Sequence, residues 1–142
     1  MLKLESVLKK CGQFVTHVDL GQCYDNTIIE NFANIISKKC PNLQEVNIGR
    51  QLFDDERKID VLMPIFDKIK RLDCSFIDDD YETNDEDLGK LLSLNQKLEF
   101  FSISVNEVLN GTFLDAIRGE SMKELRITFA RDIPFRTICR VS

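Results

Sequence analysis

Five cysteines (Cys11, Cys23, Cys40, Cys74 and Cys139) and one histidine, His17, are the residues of this 142-residue chain with the chemistry for nucleophilic attack or zinc binding. A thiolate nucleophile needs a base within hydrogen-bond reach, and structural zinc takes four N or S ligands, usually from closely spaced pairs. The spacing supplies neither. An odd number of widely separated thiols also argues against a disulfide framework, so burial as reduced thiols is expected. Carboxylates are the other candidates, and seven crowd one run (Asp78, Asp79, Asp80, Glu82, Asp85, Glu86 and Asp87). The run lacks the central Gly and terminal Glu of a calcium loop, so it reads as a solvated loop, with docking of a basic partner as its functional alternative. Asp54 and Asp55 adjoin, but nothing places them in a pocket. Asn110-Gly111-Thr112 matches a glycosylation acceptor and is read as a turn. No G-x-S-x-G, phosphate-cradling glycine loop or H-E-x-x-H is present. The expectation is a chain that is not an enzyme, with no catalytic residue, no metal and no cofactor.

Charge narrows the partner. A net charge of -5 offers no basic field to phosphate, which argues against nucleic acid and anionic membranes and leaves a protein as the expected partner. No apolar run approaches the roughly 20 residues a membrane span needs, and Met1 to Glu5 lacks the apolar block of a signal peptide. These features lead to an expected cytoplasmic location, with the nucleus open. A composition that is 43% hydrophobic and 30% charged suits one ordinary globular domain over residues 1–142.

The elements that would position any of these residues announce themselves by repetition. Val15, Val18, Leu20 and Cys23 occupy the first, fourth, sixth and ninth places of the pattern L-x-x-L-x-L-x-x-N/C. Leu43, Val46, Ile48 and Gln51 follow, then Ile69, Leu72, Cys74 and Ile77. Leu98, Phe101, Ile103 and Asn106 come next, and Met122, Leu125, Ile127 and Ala130 last. The five registers begin 28, 26, 29 and 24 residues apart. Fourth and sixth places fall on one face of a short strand and third and fifth places on the other, so each unit needs a neighbour to cover its apolar side.

Helical segments fill the intervals. Thr27 and Glu30 form a capping box ahead of Ile28, Phe32, Ile35 and Ile36, with a stop at Cys40-Pro41. Thr83 and Glu86 offer a second box before Leu88, Leu91 and Leu92. Asn110 or Thr112 caps a short helix through Phe113, Leu114 and Ile117 that Gly119 closes, and Leu2 to Lys10 reads as another helix. Pro64 interrupts the segment from Ile59 to Ile69 and is expected to start a short helix there rather than sit inside one. The stretch from Ile133 to Ser142 must either cover the fifth strand or mark a truncation.

The units resemble cysteine-containing leucine-rich repeats, above all the repeat region of F-box/leucine-rich-repeat proteins of ubiquitin ligases. Cys40-Pro41-Asn42-Leu43 is similar to that family's C-P-x-L entry to each strand, and Leu8-Lys9-Lys10-Cys11 with Val18-Asp19-Leu20 and Cys23 carries the likeness further. The resemblance implies an α/β leucine-rich-repeat solenoid: a curved arc of about five repeats, parallel strands on its concave face and helices on its convex face. It also implies a module that holds a target for an SCF-type ligase. With no room for an F-box ahead of the first helix, the expected alternatives are a fragment or short isoform, or a binder that recruits no ligase. Two other readings stand beside it: an acidic ribonuclease-inhibitor-like regulator of a basic protein, and a small doubly wound α/β enzyme.

The strand face is where such an arc binds. Its third places are His17, Glu45, Arg71, Phe100 and Glu124, and its fifth places are Asp19, Asn47, Asp73, Ser102 and Arg126. Phe100 is expected to be an exposed aromatic anchor whose truncation weakens binding and leaves stability nearly unchanged, the alternative being a one-place slip of register that buries Phe100 instead of Phe101.

Overall fold

A computed structural model describes residues 2–21, 26–49, 56–76, 85–105, 110–117, 120–129 and 136–140. Strands and helices alternate as the apolar spacing requires: α1 Leu2–Cys11, β1 His17–Asp19, α2 Asn26–Lys39, β2 Glu45–Gly49, α3 Glu56–Phe66 and β3 Arg71–Phe76. Next come α4 Asp85–Ser93, β4 Phe100–Val105, a 3-10 helix Thr112–Ala116, β5 Glu124–Phe129 and β6 Arg136–Arg140. The fold is α/β. The strands form one sheet in the order β1-β2-β3-β4-β5-β6, with β1 to β5 parallel and β6 antiparallel to β5. The carboxyl-terminal stretch therefore covers the fifth strand.

One hydrogen-bond pattern sets the register. The Thr16 carbonyl accepts from the backbone N–H groups of Gln44 (2.9 Å) and Glu45 (3.0 Å), and Gln44's carbonyl does the same for Lys70 (2.8 Å) and Arg71 (3.0 Å). Lys70 receives Glu99 (2.8 Å) and Phe100 (3.0 Å), and Glu99 receives Lys123 (2.8 Å) and Glu124 (3.1 Å). Each acceptor is the second residue of its pattern match. From there the pairing runs in step across all five strands, except beyond Asn47, where Gly49 lies opposite Phe76.

Val46 and Ile48, Leu72 and Cys74, and Phe101 and Ile103 point into a core that the helices close. Ile29, Ala33 and Ile36 come from α2, Leu62, Ile65 and Phe66 from α3, and Leu88, Leu91 and Leu92 from α4. Each helix packs on the next, and α4 packs on the 3-10 helix. Phe113 presents its ring edge-on to Phe101, with centroids 6.4 Å apart. The close approach of the 3-10 turn Gly12–Phe14, which follows α1, to the end of α2 dictates Gly12, because a Cβ there would overlap the Lys39 carbonyl.

Three helical details differ from expectation. Helix α2 begins at Asn26, so Thr27 lies inside its first turn, and Ile28 is exposed while Ile29 takes the buried position. Pro64 sits inside α3 rather than opening a helix. It leaves the Asp60 carbonyl without its usual helical donor, and the burial of Leu62, Ile65 and Phe66 around it offsets that loss. The 110–117 segment forms a 3-10 helix entered through Gly111 at φ 92°, a left-handed conformation that favours glycine. Thr83 and Gly119 lie outside the described residues.

Two polar side chains fasten neighbouring units. Buried Asn95 donates to the carbonyls of Phe66 (2.5 Å) and Ile69 (2.6 Å) and accepts from Lys97 N–H (2.9 Å). Asp85 accepts from the N–H groups of Asn110 (2.9 Å), Gly111 (2.9 Å) and Phe113 (3.1 Å). Desolvation pushes the Asp85 carboxyl up, but these three donors and the Thr112 side chain outweigh it and hold it below the usual carboxylate range.

Asn95→Ala should lower stability by about 1–3 kcal/mol by stranding two buried carbonyls, read as a lower urea midpoint at unchanged slope. Asp85→Asn should cost about 1–2 kcal/mol near neutral pH. A depressed folded pKa stabilises fully above the unfolded pKa of about 3.9 and is lost as pH falls through the folded value, so the stability gap between the two proteins should narrow as pH falls below the unfolded pKa.

Candidate binding face

Both outward columns are assembled by the register. His17, Glu45, Arg71, Phe100 and Glu124 are successive partners across β1 to β5, and so are Asp19, Asn47, Asp73, Ser102 and Arg126. All ten side chains share one face of the sheet, opposite the apolar core, and no described helix covers it.

With Arg126 of the fifth-place column, the third-place column is connected from end to end. His17 Nδ1 lies 3.6 Å from Glu45 Oε1, and Arg71 Nε lies 3.4 Å from Glu45 Oε2. The Arg71 guanidinium carbon stands 4.1 Å from the centre of the Phe100 ring, and that of Arg126 stands 5.3 Å from it. Arg126 then donates through a terminal nitrogen to Glu124 Oε1 at 3.0 Å. Two cations on one aromatic ring, each paired with a carboxylate, bring the face to near charge balance around Phe100.

This arrangement corrects the expectation for Phe100. The ring points away from the core, as its place in the pattern requires, yet it is only 4% exposed. Flat guanidinium groups from the neighbouring strands stack on it and exclude water. Asn47 and Ser102, read as surface polar groups, are also buried, at 8% and 1% exposed. His17, Asp19 and Arg71 are exposed, whereas Glu45, Asp73, Glu124 and Arg126 are half-buried.

Among the described residues, three buried side-chain polar atoms have no hydrogen-bond partner: Asn47 Oδ1, Ser102 Oγ and Arg126 Nε. All three belong to the fifth-place column. A native interior rarely leaves such atoms unpaired, and their alignment on one column marks it as the polar track of the face.

A second ladder lies one place earlier. Glu99 pairs with Lys70 at 3.3 Å and with Lys123 at 2.6 Å, and these two lysines hold its carboxyl below the usual range, Lys123 the more strongly. Continuing the column procedure to second places picks out this Lys-Glu-Lys triplet.

The side chains of three thiols are described, Cys11, Cys40 and Cys74. Cys40 and Cys74 are buried and free. Burial raises the Cys74 thiol pKa, and neighbouring Asp73 raises it further; burial and nearby Cys11 do the same at Cys40. Cys11 is half-buried and donates to the Val7 carbonyl at 3.3 Å. Among the described residues, no three His, Cys, Asp or Glu side chains converge on a metal-sized site, and no helix is long and apolar enough to cross a membrane. Asp85 opens α4 as a structural acceptor, while residues 78–84, residues 54 and 55, and all five ninth-place residues (Cys23, Gln51, Ile77, Asn106 and Ala130) lie outside the described residues.

Burial reverses the expected stability effect at Phe100. Phe100→Ala should cost about 3 kcal/mol, and Phe100→Leu, which keeps most of the apolar contact and removes the cation–ring attraction, about 1 kcal/mol. Urea unfolding measures both, and an Ala variant as stable as the parent would place the ring in solvent.

No protein-family model matches the chain, and no curated protein matches it.

Proposed function

We propose that this chain is a leucine-rich-repeat solenoid that binds another protein through the open face of its sheet. The single observation that carries this reading is the open-face ladder: ten outward side chains in two registered columns, six of them linked across five strands by ion pairs and by two guanidinium groups on one ring. Aromatic and arginine side chains within a polar surround are the composition of an interface centre. The sequential strand order and the recurring carbonyl that accepts two N–H groups support stacked units. A doubly wound enzyme would bind at a reversal of strand order, and the parallel strands β1 to β5 run without one.

The likeness of Cys40-Pro41-Asn42-Leu43 to F-box/leucine-rich-repeat proteins extends the proposal: the partner is a protein marked for ubiquitination, and this chain is the part of an SCF-type ligase that holds it. That extension rests on the sequence likeness alone. The net charge of -5 favours a second version, in which the same face regulates a basic protein.

A photoreactive benzoylphenylalanine placed at Glu124 or at Asp19 on the open face, and at Lys38 on α2 as control, tests the reading in the cells that make the protein. Both face positions should yield covalent adducts with one common protein that Lys38 does not capture. Adducts confined to Lys38 would move the binding surface to the helices.

A further inference from the structure

We infer that the outer edge of β1 is a docking site for an extended segment of another protein, which runs parallel to β1 and sets one backbone carbonyl between the N–H groups of Thr16 and His17. This edge is a surface distinct from the open face, and the inference does not depend on what that face binds.

The internal units show what such an edge accepts. At the entrance of each strand from β2 to β5, the second- and third-place N–H groups share one carbonyl of the preceding unit, at 2.8 to 3.1 Å. Thr16 and His17 hold the same two places at β1, and among the described residues no carbonyl receives them. Backbone groups alternate sides along a strand. The Thr16 carbonyl faces β2, and so does the Leu20 N–H, which reaches the Asn47 carbonyl at 2.8 Å. His17 and Asp19 therefore turn their N–H and C=O groups to the outer edge. A strand that docks on β1 as β1 docks on β2 sets its second-place carbonyl on Thr16 and His17. Its fourth residue then donates to the His17 carbonyl and accepts from the Asp19 N–H, and its sixth donates to the Asp19 carbonyl.

Apolar surface points to the same edge. β6 covers β5, whereas no described strand lies outside β1. Val46, Leu72 and Phe101, each with a strand on both sides, are 0%, 3% and 0% exposed, but Val18 at the same place is only partly buried. Phe14 at 74% and Val7 at 55% are the most exposed large apolar side chains among the described residues, and both lie on the stretch that leads into β1. Edge strands are commonly blunted by lysine or proline, and Val15 to Leu20 contains neither. The occupant is thus an extended segment with an apolar fourth residue, which covers Val18 on the helix side of the sheet. Two-fold pairing of β1 with the β1 of a second copy is antiparallel and gives the Thr16 N–H no carbonyl, so it fits this edge less completely.

The test is a ¹H–¹⁵N NMR titration of the intact chain with acetyl-Leu-Gln-Thr-Val-Thr-Leu-Gln-amide. The amides of Thr16, His17 and Asp19 should shift, with half-saturation in the millimolar range, and a nitroxide on the peptide's amino terminus should broaden Thr16 more than Leu20. N-methylation of the peptide's fourth and sixth residues, whose N–H groups face β1, should weaken binding at least about fivefold, and N-methylation of the third and fifth, which face away, by less than about twofold. Thr16→Pro removes one donor of the pair, and Val15 already has the extended backbone (φ -80°, ψ 113°) that a residue before proline adopts. The folded variant should bind about threefold more weakly. Should it fail to fold, the two methylated peptides decide the matter on the parent chain. Equal losses from the two methylation patterns, unchanged affinity in folded Thr16→Pro, stronger broadening at Leu20, or shifts confined to the open face would overturn the site. Concentration-dependent shifts of the same three amides without peptide would assign the edge to a second copy and overturn the proposed occupant.

Discussion

The structure depends on the carbonyl at each strand entrance that accepts two N–H groups from the next unit. Thr16, Gln44, Lys70 and Glu99 each do this, and the repetition leaves no freedom in how one strand meets the next. Because side chains alternate along a strand, a slip by one residue would send Val46, Leu72 and Phe101 to solvent and Glu45, Arg71 and Phe100 into the core. Burying Arg71 and Glu45 without water would cost several kcal/mol per ion, so the apolar core and the hydrogen-bonded entrances enforce the same register.

With the register set, the open face becomes a property of columns. Rungs about 4.8 Å apart bring residues remote in the chain within side-chain reach. Glu45 reaches Arg71 on the next strand, and Arg71 and Arg126 meet over Phe100 from either side. Individual exposed ion pairs contribute up to about 1 kcal/mol each, so the face owes its rigidity to its connections and to the desolvated ring more than to any one pair. The fifth-place column lies beside this network and holds the unpaired Asn47, Ser102 and Arg126 atoms. Arg126 of the fifth-place column joins that network through the Phe100 ring and Glu124.

Connections between units use offsets that were partly visible beforehand. Cys40 stands three residues before Leu43, and Asn95 stands three residues before Leu98. Both are buried at a helix end, where Cys40 fills space and Asn95 bonds two carbonyls of the preceding unit. Comparing these offsets marks Asn95 as a residue of interest. Its two acceptors, Phe66 and Ile69, are 29 and 26 residues away and come within reach only when the units stack.

Sequence alone determined the alternation of strand and helix, the identity of both outward columns and the inward aliphatics, because those follow from period and side-chain alternation within each unit. Burial on the open face followed from tertiary structure. Phe100 and Phe101 differ by one place and were correctly assigned to opposite faces, yet both are buried, since neighbouring arginines stack on the outward ring. Pro64 was read as a helix start from its missing N–H, but packing of Leu62, Ile65 and Phe66 keeps it inside α3. Asp85 belonged to a run read as solvated, and the turn at Asn110 to Phe113 made it a structural acceptor. At Phe100 and Asp85 the deciding contact comes from another unit, about one repeat away. Local propensity contains no term for such a neighbour.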